Sequence, residues 1–173
     1  LLKVRGIIVS LTHSFISQES HSNTSNEYQH SNTGTNSNDL IRSYTQMIVQ
    51  ICEWDIDMWA SGKPDEMLTR QLTEFLLMCT SHSNRSVGAL TLDCWLGLQD
   101  VSMKDRIPVL REPVLRNLLN VLISQCSFRH SEGSSSEMDD DTNAAFRKGP
   151  PGCQDILVSL FYVLKSDMIV KIL

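Results

Sequence analysis

Apolar residues recur at helical spacing through most of the chain, and two polar stretches interrupt them. Val4, Ile7, Ile8, Leu11 and Phe15 share one face of a helix predicted over residues 1–17. Residues 18–38 hold Ser, Asn, Thr and His, with little apolar beyond Tyr28. That is too little to offset the entropy of ordering, so they read as a disordered insertion. Ile41, Tyr44, Ile48, Ile51, Cys52, Ile56 and Trp59 stripe the next predicted helix, which Asp39 caps and Gly62 stops. Pro64 opens another at its first turn, with Met67, Leu68, Leu72, Phe75, Leu76 and Cys79 facing inward.

Ser86 reads as the cap of a helix carrying Val87, Leu90, Leu92, Cys94, Trp95 and Leu98. Pro108 breaks the pattern, and Pro113 opens a long helix with Val114, Leu115, Leu118, Leu119, Leu122, Ile123 and Cys126 inside. Residues 128–150 read as an acidic polar loop, and 151–173 begin a further helical unit. Two helix pairs result, at 39–80 and 86–127, each close to the period of HEAT and armadillo repeats. The predicted fold is all-α: a HEAT-repeat α-solenoid whose antiparallel pairs stack in a superhelix. Trp59, Leu92, Trp95, Leu98, Leu118 and Leu122 are its predicted core.

Composition agrees with helices. Of the 173 residues 41 % are hydrophobic but only 6 % aromatic, so Leu, Ile, Val and Met must fill the core. A net charge of −5 does not attract nucleic acid, and a basic partner suits it better. The five cysteines are widely spaced without a C-x-x-C, which reads as reduced, buried thiols. No apolar run approaches the roughly 18 residues that would span a bilayer. The chain has no initiator methionine and stops within an apolar run, which reads as a piece of a longer protein.

Little in the sequence suggests catalysis or a cofactor. Phosphate loops, dinucleotide fingerprints, nucleophile elbows and zinc-helix motifs are missing from the sequence. Asp139, Asp140 and Asp141 lack the alternating ligands and central glycine of a calcium loop. Glu53 and Asp57, four apart, share a helix face beside Trp54 and Asp55. Residues 39–80 carry seven acids against three bases. Glu53, Trp54, Asp55, Asp57, Asp139, Asp140 and Asp141 are therefore candidate contacts for a basic protein partner, with Trp54 offering a cation–π face.

The ordering of these elements carries a family resemblance. Cys94-Trp95-Leu96-Gly97-Leu98 stands where a Trp-containing helix is expected, after the helix that ends at Cys79. Leu118-Leu119-Asn120-Val121-Leu122 forms the following helix. The Asp139 acidic run, the Phe146-Arg147 pair and Asp155-Ile156-Leu157 come next. The set resembles the importin-β (karyopherin-β) superfamily of nuclear transport receptors, in its transportin-three and importin-thirteen branch. The resemblance implies a non-enzymatic receptor of cytoplasm and nucleus. It would bind protein cargo, including basic segments such as those of SR-type splicing factors. It would also meet nucleoporins and be switched by the GTP-bound form of the GTPase Ran. The resemblance transfers no binding residue, and Trp95 and Leu98 correspond only to core positions. Two other readings stay open: a HEAT or armadillo scaffold subunit, and an all-α enzyme built on Glu53, Asp57 and a histidine.

Overall fold

The computed structural model describes residues 33–63, 65–126, 137–149 and 151–164, and the regular structure among them is helical throughout. The predicted helix at 1–17 and the greater part of the 18–38 insertion lie outside the described residues. Helix α1 runs over Thr33–Trp54. It starts six residues before the predicted Asp39 cap, because extending a helix already held by packing costs little once its nucleus exists. The single helix expected to reach Ala60 is broken. Asp55 leaves helical geometry, and its carboxylate accepts the Met58 N–H at 2.9 Å. A short acidic side chain thus competes for a backbone donor and starts α2, Ile56–Ser61, in a new direction. Gly62 closes α2 in the left-handed region at φ 69°, where a Cβ would come within 2.5 Å of Ile107 Cγ2.

Asp65 accepts the N–H groups of Met67 and Leu68 and so caps α3, Glu66–Thr80. Asn84, rather than Ser86, caps the one-turn α4, Arg85–Ala89, and Ser86 donates to it. The Trp95 helix is α5, Leu92–Asp100. A 3₁₀ turn at Pro108–Leu110 leads into α6, Glu112–Cys126. The described part of the predicted acidic loop is instead helical: α7 spans Glu137–Lys148, and α8 follows at Cys153–Leu164. Asp139, Asp140 and Asp141 thus belong to a helix. Acids near its start and Arg147 and Lys148 in its last turn complement the helix dipole, and Phe146 anchors it in the core.

Helix α5 packs between α1 and α8, and α3 packs against both α1 and α6. Helix α6 also supports α8, while α7 lies on α4 and α8. One core runs through these contacts, and Trp59, Leu92, Trp95, Leu98, Leu118 and Leu122 are all buried in it. Gly97 lets α5 approach α2, since a Cβ there would sit 3.1 Å from Ile56 Cδ1. Leu40 and Met47 on α1, and Val158, Phe161 and Tyr162 on α8, remain exposed on the two helices that flank α5.

Cys52, Cys79 and Cys94 are free and buried, as reduced thiols would be, and Cys126 and Cys153 face each other with Cα atoms 7.6 Å apart. The end of α6 and the start of α8 are distant in sequence and adjacent in space, a pairing that spacing alone cannot reveal. A hydrogen bond with Cys52, then burial, pushes the Cys94 thiol far up, so that sulfur is an inert packing group.

Candidate functional site

The break at Asp55 has a direct consequence for the surface. Trp54 is the last residue of α1, and the turn into α2 leaves its indole 91 % exposed. Burying an indole would remove a large apolar area from water, so an unburied one is an unused binding resource. Its two neighbours in the chain line separate recesses, Glu53 the first and Asp55 the second.

The first recess, about 620 Å³, lies between α1, α4, α5 and α7. Arg42, Gln46, Gln50 and Glu53 come from one face of α1, Asp93 from the start of α5, and Thr142 from α7. The second, about 550 Å³, lies between α2 and the segment that follows α5. Asp55, Asp57, Asp100 and Asp105 line it, with Lys63 as its one cationic residue. Helix α5 links the two. Asp93 and Asp100 are seven apart, two turns, and so fall on one face, with one carboxylate supplied to each recess. Six carboxylates thus line the two recesses: Glu53 and Asp93 the first, and Asp55, Asp57, Asp100 and Asp105 the second.

Electrostatics at Glu53 shows the crowding. Partial burial first, and the Asp93 carboxylate second, raise its pKa above the ordinary Glu value. Ionised Glu53 therefore works against folding at neutral pH, and that deficit disappears as acid protonates it. Glu53→Gln should raise the urea midpoint at pH 7. The gain should shrink as pH falls through the raised value, and vanish below the ordinary carboxylate pKa of about 4.3. A gain that persists at pH 3.5 would show that the effect is not one of charge.

Sequence reasoning placed Glu53 and Asp57 on one helix face, with Trp54 and Asp55 beside them as further candidate contacts. The structure divides them: Glu53 opens into the first recess, and Asp55 and Asp57 into the second. Glu53 and Asp57 therefore do not converge as an acid–base pair, and Glu53 faces Asp93 instead. Asp139, Asp140 and Asp141 lie on α7, but their side chains are outside the described residues. Asp93, Asp100 and Asp105 were missed. The seven-residue spacing of the first two was the available signal, but nothing local says that α5 lies beside the Trp54 turn. Among the described residues no group of three or more His, Cys, Asp or Glu side chains is placed to hold a metal. No described helix is long and apolar enough to cross a membrane. The arrangement suits attraction and stacking of a cationic side chain. No protein-family model, curated protein or solved structure matches the chain.

Proposed function

We propose that this chain is a protein-recognition block of stacked helix pairs, and that its acidic surface around Trp54 binds a basic segment of a partner protein. The exposed Trp54, set in the chain between Glu53 of one acidic recess and Asp55 of the other, carries this reading. An arginine can stack its guanidinium on the indole and meet a carboxylate in either recess. Such a contact is worth about 0.5–2 kcal/mol for the stacking, with the charges contributing mainly to capture rate.

The packing supports the HEAT-type solenoid reading. Helices α1, α5 and α8 follow one another side by side, α3 and α6 pair beside them, and the two flanking helices keep apolar residues in water. Stacked repeats present such faces where the next pair would pack, and a capping repeat would be polar there. With the importin-like order of elements, this suggests a transport receptor whose basic cargo is released when the GTP-bound form of Ran binds elsewhere on the receptor. The test is fluorescence anisotropy with a labelled arginine-containing peptide. Saturable binding is expected, weakening steeply with salt and falling several-fold in Trp54→Ala. For the transport reading, Ran in its GTP form added to the full-length parent should displace the peptide. Peptide binding that ignores both salt and Trp54→Ala would overturn the surface assignment, and binding indifferent to Ran would favour a scaffold subunit.

A further inference from the structure

The first recess is charged unevenly along its length. Arg42 and Glu53 are eleven residues apart on α1, three full turns, so they share a face and are separated by about 16 Å along the axis. Gln46 and Gln50 stand between them, and neither has a hydrogen-bond partner among the described residues. The described ion pairs, Arg70 with Glu66 and Arg116 with Glu112, use other residues and leave Arg42 without a carboxylate. Val49 and Phe146, both buried, form part of the apolar floor. One end therefore holds two carboxylates, the other a guanidinium, and the stretch between offers two free amides.

Resting on the proposed basic-segment reading, we infer that this recess sets the register of the bound segment. It seats an extended stretch with an arginine or lysine against Glu53 and Asp93 and an acidic side chain, about four residues away, against Arg42. An extended chain rises about 3.3 Å per residue and alternates its side chains between two faces, so two side chains facing the recess stand an even number of residues apart; four steps cover about 13 Å, and the side chains span the rest. Gln46 and Gln50 can each give and accept a hydrogen bond with peptide groups along the way. A segment with uniform positive charge would meet Arg42 as a repulsive element, which gives discrimination as well as attraction. The raised pKa of Glu53 beside Asp93 agrees with a site that lacks a cation of its own.

The test is a charge swap on the whole chain. Two peptides carry arginine and, four residues on, either glutamate or lysine in an otherwise Ser/Ala background; a second pair reverses the order. In one of the two orders, the wild type should prefer the glutamate peptide over the lysine peptide by about three- to tenfold. Arg42→Glu should invert that preference. Because Arg42 is exposed, the variant should fold, and its circular dichroism verifies that. If the wild type binds both peptides of each pair equally, or if Arg42→Glu leaves the preference unchanged, the register assignment is overturned while the basic-segment reading stands. If no peptide binds the wild type at all, both fall.

Discussion

Trp95→Ala should cost about 3–5 kcal/mol of folding stability, the largest loss expected from any single truncation in the chain. Trp95 is fully buried in α5, and its ring tilts against Trp59 with centroids 5.8 Å apart. Its indole N–H donates to Thr80 Oγ1 at 2.8 Å. Thr80 and Thr91 lie 2.8 Å apart and share their hydroxyl protons between each other and the carbonyls of Leu76 and Gly88. The side chain thus fills the junction of α3 and α5 and satisfies a buried hydroxyl at the same time. Removing it leaves a cavity that the rigid helices around it cannot close. Trp95→Phe keeps most of the volume and loses the hydrogen bond, so a cost of about 1–3 kcal/mol is expected. Urea denaturation measures both. An alanine variant within about 1 kcal/mol of wild type would show that this junction is not a close-packed core.

The second large effect belongs to Arg106, a buried cation in the link between α5 and the 3₁₀ turn. Its Nε and Nη2 donate to Val101 O at 3.0 and 2.9 Å, and Nη2 reaches Gln99 O at 3.4 Å. These carbonyls end α5, where the helix dipole is negative and no helical N–H remains to pair them. Arg111 extends the clasp by donating to the carbonyls of Arg106 and Lys104, and Ile107 N–H donates to Ala60 O, which fixes the link to α2. Burial lowers the Arg106 pKa from its ordinary value, and the hydrogen bonds offset part of that desolvation. Arg106→Met fills most of the space with an uncharged side chain but leaves the α5 carbonyls unpaired. It should lose about 2–4 kcal/mol by denaturant titration. Because the same link carries Asp105 into the second recess, peptide affinity should fall with it. A methionine variant as stable as wild type would assign Arg106 a packing role without capping.

The helical class was legible because apolar residues recur at the helical period, and because Gly62 announces a stop in the one conformation that disfavours other residues. Three features were not. The break at Asp55 depends on a side chain winning a backbone N–H from the continuing helix, a competition that periodicity does not register. Helix α7 was concealed by its acids, which look like loop residues until they are placed near a helix start with Phe146 buried near its end. The approach of Cys126 to Cys153 and the encounter of Asp93 with Glu53 are long-range events created by packing. Trp54 and its acidic neighbours could be singled out from composition. That Trp54 remains in water, and that α5 and the segment after it add Asp93, Asp100 and Asp105 to the two recesses, required the fold.

The three tryptophans give the most direct test of the surface at Trp54. Their indole N–H groups report separately in a ¹⁵N correlation spectrum. Trp59 is bonded to Thr73 and Trp95 to Thr80 inside the core, while Trp54 stands in solvent. Titrating the chain with an arginine-containing peptide should move the Trp54 signal, identified by its loss in Trp54→Phe, in a saturable and salt-sensitive way. The Trp59 and Trp95 signals should hold their positions. A bound peptide that leaves Trp54 unmoved, or that shifts the two buried indoles instead, would contradict recognition at this surface.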